Sequence, residues 1–147
     1  VIAKNHRDKK TARELNIKQM KLTKNFNKSE FESKDGSDMP NEVFYNIQKV
    51  SNQLQFLRDY LGRSIVVNSA YRSPEHNAAI GGVKNSQHVL GKASDIVVNG
   101  LSTIEVYNAI EELINKGDML QGGLGLYNSF VHYDIRGTKA RWNNTTK

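Results

Sequence analysis

The chain contains no cysteine. That excludes disulfides and every thiolate metal site, and leaves His, Asp and Glu as the side chains able to hold a metal. It also suits a protein working outside the cytosol without oxidative pairing, although it fixes no compartment. No run of about 18 apolar residues occurs, so no membrane-spanning segment is expected. The first ten residues, VIAKNHRDKK, lack the apolar core of a secretory signal and begin with Val; the expectation is a processed or excised product. Aromatic residues are missing before Phe26, which argues against a base-stacking nucleic-acid surface in that part. There is no internal repeat. What is there is 147 residues, 37% hydrophobic and 24% charged, enough for one domain with a real core and too short for two of ordinary size.

The formal charge of +6 is unevenly placed. Residues 1–28 hold nine Lys and Arg against Asp8 and Glu14, so the rest of the chain sums to −1. Two parts are therefore expected: a basic N-terminal arm at 1–19, with a short helix over 11–19, and a nearly neutral domain at 20–147. A solvated tail is the plain reading of such an arm. The functional reading is an electrostatic tether to a polyanion or to an assembly partner.

Phe26 and Phe31 stand out of a polar, turn-rich stretch as anchors onto the domain. Asp38 reads as a helix N-cap ahead of Pro40. Val43, Phe44, Ile47, Val50, Leu54, Leu57 and Leu61 follow at helical spacing, predicting one amphipathic helix over 40–61 that ends at Gly62. SIVVNSA at 64–70 is β-branched and reads as a strand. A short helix is expected over 74–80, a glycine-rich loop over 81–93 and a strand over 94–98. Ser102 and Glu105 form a capping box ahead of a helix ending at Gly117. Strands at 123–127 and 130–136 are joined by a turn at Asn128 and Ser129, and the C-terminus reads as a short polar tail. The class is α+β: a small antiparallel sheet packed by two main helices.

Of four histidines, His6 lies in the arm and His76 in a short polar helix, both readable as surface residues. His88 precedes Asp95, a carboxylate at the mouth of a buried strand, where it is costly unless a cation or hydrogen bonds satisfy it. His132 sits inside FVHYDI, and strand alternation puts His132 and Asp134 on one face, Val131, Tyr133 and Ile135 on the other. Two histidines and a carboxylate make a standard catalytic zinc set with a fourth position left for water. Read singly, each is weak, since a His on a strand is more often a hydrogen-bonded core residue than a ligand.

Residues 86–95 read S-x-H-x-x-G-x-A-x-D, and H-x-D recurs at His132 and Asp134. Upstream, residues 69–77 read S-x-Y-R-S-x-x-x-N. Downstream come GLGLY at 123–127 and Ala140, Arg141 and Trp142. Together these segments resemble the zinc D-alanyl-D-alanine carboxypeptidase and L-alanyl-D-glutamate endopeptidase family, in the C-terminal "peptidase" branch found in bacteria and phages. The resemblance runs from about Leu22 to Trp142. It implies the α+β fold shared with the hedgehog signalling domain, and zinc held by His88, Asp95 and His132. It makes Arg72 the cation that binds a substrate carboxylate or carbonyl and steadies the oxyanion, and Gly91 the residue that lets the loop pass close to the metal. Tyr71, Tyr127, Tyr133 and Trp142 are candidates to wall the cleft, with core packing the plainer reading for at least two of them.

Many members of that family carry an acid three residues before the last His ligand. Here the position is Ser129. Asp134 becomes the first candidate for general base, with orientation of His132 or Arg72 as the equal alternative; Glu75 and His76 rank below it. The implied reaction is hydrolysis of peptidoglycan stem peptides, as a D,D-carboxypeptidase or endopeptidase. The implied setting is the cell wall or periplasm of a target bacterium, as a phage lysin, a virion-associated hydrolase or a bacterial remodelling enzyme. A virion or a wall polymer is the partner expected for the arm, with no membrane or nucleic acid. A non-catalytic zinc-containing module of the same fold is the competing function.

Overall fold

The computed structural model describes residues 20–146, so the arm at 1–19 and its expected short helix lie outside the described residues. Helix α1 spans Asn41–Leu61. Its apolar residues recur three or four apart, and Ile47, Val50, Leu54 and Leu57 are fully enclosed; each contributes roughly 1.5–3 kcal/mol by leaving water. Gly62 ends the helix as expected, in the left-handed conformation (φ 64°), with its N–H on the Arg58 carbonyl. The start differs. The N-cap is Pro40, with no side-chain cap, and Asp38 stands outside. Proline disfavours the helical region at the residue before it, so the turn that Asp38 would need to cap never forms. Phe26 and Phe31 anchor the preceding segment as expected, buried and edge-on at 5.9 Å.

The remaining elements are β1 (Ile65–Ser69), α2 (Pro74–Ala79), β2 (Ala93–Val98), α3 (Thr103–Asn115), β3 (Gly123–Leu126), β4 (Val131–Asp134) and β5 (Ala140–Asn143), with a 3-10 turn at Lys28–Phe31. The Ser102–Glu105 capping box opens α3 as expected. The sheet runs β1-β2-β4-β3-β5. Four of its strands are antiparallel, as expected. The fifth is not: β5, read from sequence as a tail, pairs parallel with β3 and makes the sheet mixed. Its residues ARWN are half-exposed, and their apolar–polar alternation covers only four residues beside a polar stretch, too short a run to announce a strand.

One face of the sheet is apolar. Ile65, Val67, Ile96, Val98, Leu124, Leu126, Val131 and Tyr133 join the buried residues of α1 and α3 in a single core. The other face is polar and carries the site. The two faces come from strand alternation, with one irregularity that matters. The β1–β2 register shifts between Val67, opposite Ile96, and Ser69, opposite Asp95. Two steps on β1 against one on β2 is a bulge, and it turns Ser69 from the core side to the polar side.

Candidate metal centre

A single row crosses all five strands on the polar face: Ser69 opposite Asp95, Asp95 opposite His132, His132 opposite Gly125, and Gly125 opposite Trp142. Register alone therefore brings together residues up to 73 positions apart in the chain. His88 joins them from the loop before β2. Its Nδ1–H donates to the Ala70 carbonyl at 2.7 Å, and its own carbonyl accepts from Arg72 N–H at 3.1 Å. The loop is thereby tied to the end of β1.

His88, Asp95 and His132 are buried, and each offers one ligand atom within 4.8 Å of the others. His88 Nε2 lies 3.2 Å from Asp95 Oδ1, and His132 Nδ1 lies 3.0 Å from the same oxygen. The edges of a tetrahedron around zinc, with arms of about 2.0–2.1 Å, are about 3.3 Å, so these separations fit the ion. The tautomers fit as well. The second nitrogen of each ring is already engaged, His88 Nδ1 on Ala70 O and His132 Nε2 on Asp134 Oδ2 at 2.7 Å. With a metal bound, Nε2 of His88 and Nδ1 of His132 would be the unprotonated, ligating nitrogens; without one, both lie at hydrogen-bond distance from Asp95 and can donate to it. Burial by itself raises the pKa of Asp95, but hydrogen bonds from His132 and His88 outweigh it and hold the carboxyl well below the usual range. Burial also works against a charged His132; Asp134 and Asp95 on either side of the ring outweigh it and raise its pKa.

Asp134 shares a face with His132, as alternation requires, but it stands behind the imidazole, on the ring edge opposite Asp95. It is fully buried. Its Oδ1 accepts from Gly123 N at 2.8 Å, Arg136 N at 3.1 Å and Arg136 Nε at 2.9 Å. Its Oδ2 takes Arg136 Nη2 at 2.7 Å besides His132. Five donors meet a carboxylate with about four lone-pair sites, so the expected proton acceptor has no free site. Burial raises its pKa, and the donors, His132 first, bring it well below the ordinary value.

A cleft of about 310 Å³ opens over the row, lined by Arg72, Ser86, Gln87, Tyr127, Phe130, Arg136 and Trp142 together with the three candidate ligands. Arg72 reaches Asp95 Oδ2 at 3.4 Å and Ser69 Oγ at 3.2 Å, which puts it beside the centre. Glu75 and His76 are not among the lining residues. Tyr127 and Trp142 line the cleft, and Trp142 lies 5.0 Å from the His132 ring and donates to Tyr127 OH at 3.0 Å. Tyr71 and Tyr133 are core residues.

The alternating GLGL of β3 has a steric cause. A Cβ at Gly123 would overlap the Asp134 carboxylate, and one at Gly125 would overlap the Trp142 ring. The leucines between them face the core. Gly91 corrects an expectation. Its φ is 73°, but a Cβ there would stand 2.7 Å from Val43 Cγ1 and 2.9 Å from Val43 O. It lets the loop approach α1, not the metal.

Arg136 was missed in the sequence. Its signal was there: the strand expected over 130–136 puts Arg136 on the face of His132 and Asp134, although the observed strand ends at Asp134. The role of the Ala70 carbonyl left no signal at all, because a backbone oxygen has no residue type.

A family model described as Peptidase M15 matches residues 11–134. The chain belongs to that family of zinc-dependent peptidases. Its three-residue cluster is the group among the described residues able to hold the metal such peptidases use. No curated protein matches the chain closely enough to be reported as a relative.

Proposed function

We propose that this protein hydrolyses peptide bonds in the stem peptides of bacterial peptidoglycan, as a D,D-carboxypeptidase or endopeptidase, with zinc held by His88 Nε2, Asp95 and His132 Nδ1. The observation that carries the reading is the convergence of those three ligand atoms in a cleft, with both histidine tautomers fixed from behind, in a chain of the M15 family. Zinc would supply Lewis acidity at a scissile carbonyl and lower the pKa of a water from ~15.7 towards ~7.

The chain's own residues do the rest. Arg72, held by Ser69 and Asp95, presents positive charge where an oxyanion develops. Asp134 orients His132 and raises its basicity, a positioning role favoured by its burial and its five donors. Trp142 and Tyr127 wall the cleft and exclude water from one side. In this reading the enzyme acts on the wall, from a phage or a bacterium, and the basic arm at 1–19 tethers it to an anionic polymer or a virion partner.

The test is digestion of purified peptidoglycan by the zinc-loaded protein, with released muropeptides identified by mass spectrometry. Cleavage is expected, along with about one zinc per chain and no cleavage by His88→Ala. A protein that binds zinc and releases nothing supports the second reading, a non-catalytic zinc module. One observation favours that alternative: among the described residues, the cleft lining holds no carboxylate apart from Asp95.

A further inference from the structure

Arg136 does more than its bond to Asp134 requires. Two guanidinium nitrogens, Nε and Nη2, fork onto the two Asp134 oxygens. The guanidinium carbon lies 5.5 Å from the centre of the Trp142 ring. The partner carboxylate is fully buried, yet the Arg136 side chain is 30% exposed and lines the cleft. Its third nitrogen, Nη1, makes no hydrogen bond among the described residues. A guanidinium fixed by a fork and an aromatic face has already lost much of its rotamer freedom, so a further hydrogen bond to Nη1 costs little ordering.

The cleft lining is net positive, with Asp134 behind Arg136 and outside it. The lining carries two arginines, Arg72 and Arg136, and one carboxylate, Asp95, itself a candidate ligand. A bound zinc would add two further positive charges. Arg72 is engaged by Ser69 and Asp95; Arg136 has the spare donor. Such a lining favours an anionic occupant, and in a peptide substrate the common anion is a carboxylate.

Resting on the zinc-peptidase reading, we propose that Arg136 is a specificity-determining residue that binds a carboxylate of the substrate through Nη1. The path from Arg136 to the metal centre runs through Asp134 and His132, with contacts of 2.7 Å and 2.7 Å. With the width of the imidazole and a Zn–N bond of about 2.1 Å, that path bounds the separation from Nη2 at roughly 10 Å, and Nη1 with a hydrogen bond to its ligand adds about 5 Å. At about 3.3–3.6 Å per extended residue, the carboxylate lies within about four or five residues of the scissile bond. The substrate class is thus a peptide acid, and its amide is discriminated against.

Binding tests this without needing turnover. The probes are a peptidoglycan stem pentapeptide and versions in which each carboxylate is amidated in turn. Each is titrated calorimetrically into the zinc-loaded wild-type protein, Arg136→Gln and Arg136→Lys. One amidation is expected to weaken wild-type binding roughly 10–100-fold, the usual worth of a charged hydrogen bond. The same amidation should change Arg136→Gln binding less than about threefold, with Arg136→Lys in between. Zinc content of each variant is measured alongside. If Arg136 only braces Asp134, its variants lose zinc and weaken all peptides equally, which overturns the proposal. Wild-type protein indifferent to every amidation overturns it too, whatever the variants do. Failure of the zinc-peptidase reading is distinct: peptides bind with acid preference, and none is cut.

Discussion

His88 leaves a loop and gives its second ring nitrogen to a neutral backbone oxygen, Ala70 O; His132 stands within a strand and gives its own to a buried carboxylate, Asp134, at the same 2.7 Å. Both bonds fix a tautomer. Only the second adds negative charge behind the ring and so makes the imidazole a stronger ligand. The surroundings differ in the same sense. The His88 side is braced by polar contacts among small side chains, some buried and one reaching the surface: Ser73 N–H to Ser33 Oγ at 3.0 Å, Ser73 Oγ to exposed Asp35, and Asn77 Nδ2 to Val83 O at 2.8 Å. The His132 side is braced by a buried carboxylate, two glycines that make room, and a tryptophan ring tilted against the imidazole. Damage to the sheet side should therefore reach the metal, and damage to the loop side should be absorbed.

The sharpest way to break this contrast is Asp134→Asn. If Asp134 orients, zinc affinity should fall roughly 10–100-fold, and activity should climb towards the wild-type rate as zinc is added. A curve that stays flat and low with zinc bound would instead make Asp134 the base and cost roughly 10²–10⁴ in rate. The titration of activity against zinc separates the two outcomes, and the saturating one is expected.

A smaller effect should follow from Gly125→Val. The added carbons overlap the Trp142 ring, and overpacking of this kind costs roughly 1–3 kcal/mol. Thermal unfolding should show a lower Tm, and Trp142 fluorescence should shift as the ring leaves His132. Unchanged fluorescence with full activity would mean that the GLGL spacing serves packing alone.

The least effect is expected from Asp35→Asn on the loop side. Ser73 Oγ–H, then Ser37 N–H, hold the Asp35 carboxyl well below the usual carboxylate range. A depressed folded pKa gives stability that is complete above the unfolded pKa of about 3.9 and is lost as pH falls below it. The Tm difference between wild type and Asp35→Asn should thus be greatest near neutral pH and shrink below about pH 4. Zinc affinity should stay within about twofold, because the group is exposed and its bonds are screened. A large loss of zinc would put the two sides on an equal footing.

The sequence determined by itself whatever depends on local period and on residue chemistry. The stripe from Val43 to Leu57 made α1, Gly62 ended it, and the Ser102–Glu105 pair opened α3. Alternation in VHYD put His132 and Asp134 on one face. The want of cysteine narrowed the ligands to nitrogen and oxygen, and the family motif pointed to His88, Asp95 and His132. Tertiary structure decided what depends on register and on backbone. The row from Ser69 to Trp142 exists because of four strand pairings and one bulge, none written in a single segment. Strand β5 is too short for its alternation to stand out and is recruited by its place beside β3. Gly91 read as a metal-loop glycine until the neighbour it makes room for proved to be Val43, 48 positions away in the chain. The donors that fill Asp134 come from Gly123, Arg136 and His132. Periodicity reports which way a side chain points; only the assembled sheet reports what it meets there.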